Sequence, residues 1–187
     1  MNFANKISTF SILSVPFFIA CLVYYSPGKD ILRFFALGIF VLGVISDAVD
    51  GYIARKTKQK SKAGLILDPL GDKLLLISAF VLVYLKFPSE IRFPAWVLLI
   101  VITRDVLILL GTAVIFMVKQ DFNIVSTWLG KIATTFQMLS VISILLLWRF
   151  SYIFWLAAVL FTVLSGVNYI IKGFKSLYAL DNSRNNH

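Results

Sequence analysis

Six predominantly apolar runs alternate with short polar breaks along the 187-residue chain, near 8–25, 32–54, 64–86, 94–118, 132–148 and 152–172. Each is close to the roughly 20 residues that a helix needs to cross the hydrocarbon core of a bilayer. The apolar residues are continuous. They do not alternate with polar ones at every second position, as the strands of a membrane β-barrel would. The pattern predicts an all-α integral membrane protein, with six transmembrane helices forming a single domain over 1–187 and a polar tail at 181–187 that is expected to fray. Pro16 falls inside the first run, where the lost backbone N–H favours a kink. That run has neither a strongly basic leader nor a small-residue cleavage site, so it reads as a retained span.

Composition sharpens the picture. The chain is 59% hydrophobic and 14% charged, with a mean hydropathy of +0.89; soluble domains are only about half apolar. Its 18 Lys and Arg against 9 Asp and Glu give a formal charge of +9. In a chain this apolar, such an imbalance serves topology and anionic lipid rather than nucleic acid, and no nucleic-acid partner is expected. With six spans, Lys6, Arg55, Lys56, Lys58, Lys60, Lys62, Lys119, Lys131, Lys172, Lys175 and Arg184 fall on one side. Lys29, Arg33, Lys86, Arg92 and Arg149 fall on the other, while Lys73 and Arg104 lie within spans. The richer side reads as cytoplasmic, which puts both termini and the basic loop there and the protein in the cell (inner) membrane. Tyr24, Tyr25, Trp96, Trp128, Trp148, Tyr152 and Trp155 lie near span ends, as interfacial anchors do. Cys21 and His187 are each the only residue of their kind. No disulfide, thiolate zinc site or His-based triad can be assembled within the chain.

The acids carry the chemistry. Asp47, Asp50, Asp68, Asp72 and Asp105 sit inside or at the ends of the apolar runs, where a charge costs about 2.5–3.5 kcal/mol even on the lenient insertion scale. Asp47 and Asp50 are three apart and Asp68 and Asp72 four apart, so each pair shares a helix face. If two such faces meet, four carboxylates converge and need cations to neutralise them. Hard oxygen donors without His or Cys favour Mg²⁺ or Mn²⁺, then Ca²⁺, over zinc or copper. Two other readings fit the same acids: helix-end carboxylates facing cytoplasmic water, and an ion-coupled transporter. Gly51, Ala54 and Gly64 are small residues on the acid-bearing faces, suited to close approach by a ligand or to helix packing. Arg55 supplies a fork that fits a phosphate or pyrophosphate. Taken together, these residues look like a phosphoryl-transfer site.

The run Asp47-Ala-Val-Asp50-Gly51-Tyr-Ile-Ala54-Arg55, followed by Gly64, Asp68 and Asp72, resembles the signature of the CDP-alcohol phosphatidyltransferases at all eight fixed positions. The resemblance implies a membrane enzyme, usually a homodimer, that moves a phosphatidyl group from a CDP-linked lipid to an alcohol and releases CMP. It further implies a site holding two ions of Mg²⁺ or Mn²⁺, with Asp47, Asp50 and Asp68 as principal ligands. Asp72 then contributes to the second ion or acts as the base, and Gly51, Ala54 and Gly64, joined by Asp50, line the nucleotide pocket. Arg55 would steady the donor's phosphates. Lys73 points about 100° away from Asp72 on an ideal helix and is expected to snorkel or meet a lipid headgroup.

For the acceptor, Leu129-Gly130-Lys131-Ile-Ala-Thr134-Thr135-Phe-Gln137 resembles a segment of phosphatidylglycerophosphate synthases, whose acceptor is glycerol 3-phosphate. Arg104 and Lys131 match a dianion, and Thr134 and Gln137 can hydrogen-bond its hydroxyls. Arg104 also fits a structural ion pair with Asp105 or across helices. The implied partners are CDP-diacylglycerol, a small phosphorylated alcohol and membrane lipid. Ala133 and Ser11 stand where those synthases carry Lys and Arg. Arg104-Asp105-Val resembles CMP-forming cardiolipin synthases, so that activity, or another acceptor, is the alternative.

Overall fold

The computed structural model describes residues 3–28, 30–57, 64–119 and 128–184, with side chains at 13–28, 30–46, 49, 73–111 and 128–171. Among the described residues all regular structure is helical: α1 (Phe3–Val23), α2 (Asp30–Thr57), α3 (Gly64–Lys86), α4 (Ala95–Lys119), α5 (Trp128–Leu145) and α6 (Ser151–Arg184). Two stretches, Trp128–Leu145 and Ser151–Ile171, are long and apolar enough to cross a membrane on the described residues alone.

The central helix is α3, which packs against α1, α2, α4 and α5. Its sequence explains why. Leu75, Leu76, Ala79, Phe80 and Val83 recur at helical spacing and are all buried, giving α3 a broad apolar face for its neighbours. They meet Phe18 and Leu22 of α1, Ala36 and Phe40 of α2, Val97 and Val101 of α4, and Val141, Ile144 and Leu145 of α5. Phe18 and Phe40 lie 5.7 Å apart between ring centres. Phe80 stacks at 4.8 Å on Phe93, a loop residue with no exposed surface. The same loop is fastened at two further points. Arg92 donates to the Tyr84 carbonyl and covers its ring at 4.6 Å, and the Ser151 hydroxyl donates to the Ile91 carbonyl at 2.8 Å.

The outer surface is oily. Phe17, Tyr24, Ile31, Leu85, Leu99, Leu160 and Ile171 are all exposed, a density of outward apolar side chains that water-facing surfaces rarely carry. Tyr25 departs from its expected anchoring role. It is buried and stacks on Phe87 at 5.2 Å, fixing the end of α1 against the end of α3.

Only α3 keeps both limits of its apolar run; α1 begins earlier, at Phe3, and three of the other differences have a clear physical reason. First, α5 starts at Trp128 and stops at Leu145 instead of running to 148. Leu147 takes a left-handed φ of 53°, the Trp148 N–H bonds the Ser143 carbonyl, and the Leu147 N–H bonds the Ile144 carbonyl, both at 2.9 Å. That is a helix-ending Schellman motif, built with leucine where glycine is usual. The strain is offset by packing of Leu147 on the core. Second, α2 continues to Thr57, past the apolar limit at 54. Third, α6 does not fray at 181 but continues to Arg184. Once a helix is nucleated, adding a polar residue costs little. At 1.5 Å per residue α6 is about 50 Å long, well beyond the roughly 30 Å hydrocarbon core.

Phe80 and Leu99 test this division between interior and exterior. Phe80→Ala should cost about 3–5 kcal/mol through the cavity it leaves, whereas Leu99→Ala on the outer surface should stay within about 0.5 kcal/mol. Reversible unfolding in mixed micelles reads both.

Candidate functional site

Two features are built around α3. The first is the motif. α2 carries Asp47, Asp50, Gly51, Ala54 and Arg55 along its closing turns, and α3 opens at Gly64 and carries Asp68 and Asp72 along its first turns. The side chains of these eight residues lie outside the described ones. What is described is the packing immediately adjacent. A Cβ at Gly43 would stand 2.7 Å from Leu75 Cδ2 and 4.0 Å from Ser14 Oγ. Gly43 lies four residues before Asp47 and Leu75 three after Asp72, so each shares a helix face with its acid. A larger residue at 43 would have to displace the Leu75 side chain, because α2 and α3 come close there. A close contact between α2 and α3 one turn from both acid pairs is what convergence of the pairs requires. Four carboxylates meeting there would make an all-oxygen donor set, of the kind that suits Mg²⁺ or Mn²⁺. Among the described residues no three His, Cys, Asp or Glu side chains gather.

The second feature is a buried polar junction of α3, α4, α5 and α6. Asp105 has no exposed surface. One carboxylate oxygen, Oδ2, accepts from Lys73 Nζ at 2.7 Å, and the other, Oδ1, accepts from Arg104 Nη1 at 2.8 Å. Arg104 Nη2 donates to Ser165 Oγ at 2.8 Å. Three residues earlier on α6, Thr162 Oγ1 accepts from Gln137 Nε2 at 2.9 Å. Ser165, Thr162 and Gln137 are all buried. The hydroxyls hold side chains from two different helices because positions three apart lie on one face of α6. Gly166, beside them, leaves the Arg104 stem an ordinary contact, 3.7 Å from where a Cβ would be. Two polar atoms in this junction are buried without a partner, Arg104 Nε and Gln137 Oε1.

The junction corrects one expectation and refines three. Lys73 does not snorkel; it turns inward to Asp105, because the 100° that separates it from Asp72 points it at α4. Arg104 is buried in a double ion-pair and hydroxyl network. Gln137 is fully buried with its amide donor committed. Thr134 donates to the Gly130 carbonyl of its own helix at 2.9 Å, which leaves its oxygen able to accept, and Lys131 is exposed nearby on α5. The structure thus brings Arg104 and Gln137 onto one face of α6, with Lys131 and Thr134 nearer the start of α5. Sequence reasoning missed Thr162 and Ser165. Their signal was there: two hydroxyls at helical spacing beside a glycine, in an otherwise apolar run.

Comparison with known proteins follows the same lines. The family model described as CDP-alcohol phosphatidyltransferase matches residues 1–164. A protein of Sodalis glossinidius named CDP-diacylglycerol–glycerol-3-phosphate 3-phosphatidyltransferase is 35% identical over 150 residues, covering 80% of this chain and 78% of its own. Proteins of the same name from Wigglesworthia glossinidia brevipalpis and Aquifex aeolicus are 29% and 28% identical, each covering 95% of this chain and 94% and 99% of their own.

The helix approach at Gly43 is open to a direct test. Gly43→Val should cost about 1–3 kcal/mol by overpacking against Leu75. Gly38→Ala, where nothing lies within 4 Å of the added methyl, should stabilise by up to about 1 kcal/mol through helix propensity. Thermal unfolding of the two variants beside the unsubstituted protein measures both.

Proposed function

The chain belongs to the CDP-alcohol phosphatidyltransferase family, and on that premise we propose that it transfers the phosphatidyl group of CDP-diacylglycerol to glycerol 3-phosphate, releasing CMP. The observation that carries this reading is the eight-position motif, seated on two helices that close on each other at Gly43. The acceptor is supported by the relatives' shared name across most of their length, and by the cationic and amide groups of α4 and α5.

In this reading the six helices span the cell membrane, both termini and the site are cytoplasmic, and two copies associate as a homodimer. Asp47, Asp50 and Asp68 would hold one divalent ion, and Asp72 would share a second. When bound, Mg²⁺ or Mn²⁺ neutralises charge developing on the CMP leaving group and orients the scissile phosphorus. Gly51, Ala54 and Gly64 leave room for the cytidine nucleotide beside Asp50, and Arg55 donates to its phosphates. Arg104 and Lys131 draw in the acceptor phosphate, and Thr134 and the unpartnered Gln137 Oε1 accept from its hydroxyls. Asp72 takes the proton of the attacking hydroxyl as the new phosphorus–oxygen bond forms and the bond to CMP breaks. An apolar exterior suits an enzyme whose donor and product are both lipids, since they exchange with the bilayer along the helix faces.

With CDP-diacylglycerol, Mn²⁺ and radiolabelled glycerol 3-phosphate, purified protein should form lipid-soluble label and an equal amount of CMP. Consumption of phosphatidylglycerol, inositol phosphate or serine in place of glycerol 3-phosphate would overturn the acceptor assignment. Asp68→Asn should lower turnover at least about a hundredfold with unfolding behaviour unchanged, and chelation should stop the unsubstituted enzyme until Mg²⁺ or Mn²⁺ is restored. Full activity in Asp68→Asn would remove the metal-site argument.

A further inference from the structure

We propose that Asp105 is a positioning residue for the acceptor: it aims the Arg104 guanidinium and fastens it to the helix that carries Asp68 and Asp72. The inference rests on the phosphatidyltransfer reading above and adds to it a residue outside the motif. Both carboxylate oxygens of Asp105 are used, each by a different cation on a different helix, Lys73 at 2.7 Å on α3 and Arg104 at 2.8 Å on α4. Lys73 is the immediate neighbour of Asp72. One buried anion therefore ties the rotation of α3, the helix on which Asp68 and Asp72 lie, to the orientation of Arg104.

Arg104 is held on a second side by Ser165 at 2.8 Å, so its plane is defined by two bonds on different nitrogens, Nη1 and Nη2. The Nε edge is buried and has no partner, which is a costly arrangement for a charged donor unless a ligand or water completes it. A guanidinium fixed in this way binds a phosphate with little loss of side-chain freedom. A purely structural ion pair accounts for the tie to α3, but not for a buried guanidinium edge left without a partner. Removing the carboxylate would leave Arg104 in place but free to turn, which weakens acceptor binding rather than donor binding.

The test compares full-length protein carrying Asp105→Asn, Asp105→Glu or Ser165→Ala with the unsubstituted enzyme in mixed micelles, measuring kcat and separate KM values for glycerol 3-phosphate and CDP-diacylglycerol. Asp105→Asn should raise the glycerol 3-phosphate KM about tenfold or more while the donor KM stays within about twofold. Asp105→Glu, which keeps the charge, should recover most of that loss. Ser165→Ala should raise the acceptor KM by about threefold to fivefold, and it carries the test by the same criterion if Asp105→Asn fails to fold. Equal rises in both KM values, or a fall in kcat with both unchanged, overturns the positioning role while leaving the activity intact. Should the unsubstituted enzyme consume another acceptor, the acceptor reading fails and the KM of that acceptor decides the Asp105 question. Absence of turnover with every acceptor overturns both.

Discussion

Asp105 is an anion with no contact with solvent, and the arrangement of four helices depends on how it is neutralised. Leaving such a charge unpaired would cost several kcal/mol, so Lys73 and Arg104 are drawn to it from α3 and α4. Ser165 of α6 holds Arg104 on a second side, and Gln137 of α5 meets Thr162 one turn away. In an apolar bundle the packing of leucines and phenylalanines specifies little about rotation. Lipid tails are as apolar as the side chains, and helix association rests on close packing and on polar contacts of this kind. The junction therefore sets the register of α3, α4, α5 and α6, much as Gly43 sets the approach of α2 to α3.

The two features have complementary consequences. Gly43 lies where the two acid-bearing helices approach each other, and on the proposed reading their carboxylates would form a negative region suited to divalent ions and, through them, to a pyrophosphate. The junction on α3, α4, α5 and α6 gathers two cations, one anion and several hydrogen-bonding groups, and on the proposed reading it would serve a small anionic acceptor. α3 is common to both because it is the only described helix packed against α1, α2, α4 and α5 at once. A reaction joining a lipid-linked donor to a water-soluble phosphate needs two such regions a short distance apart in a surface otherwise made for lipid.

Much of this was legible in the sequence. Apolar runs with breaks gave the helical class and approximate limits, and the spacing of Asp47, Asp50, Asp68 and Asp72 gave a shared face on each helix. The rest was hidden for physical reasons. Spacing fixes an angle around a helix but not the neighbour found there, so Lys73 read as snorkelling until α4 supplied Asp105. The end of α5 was missed because its left-handed residue is Leu147 and not the glycine that marks such ends. α6 runs past its apolar limit because hydropathy measures affinity for lipid, not helical propensity. Thr162 and Ser165 look like ordinary small residues until Gln137 and Arg104 are seen to converge on them.

The central claim is that α2 and α3 together make one carboxylate site for divalent ions beside a nucleotide pocket. The most direct measurement is an anomalous-scattering map from crystals of the full chain grown with Mn²⁺ and CDP-diacylglycerol. The expected result is Mn²⁺ density between α2 and α3, in contact with Asp47, Asp50, Asp68 and Asp72, with the donor pyrophosphate alongside. Mn²⁺ bound only elsewhere, or donor bound away from Gly51, Ala54 and Gly64, would contradict it.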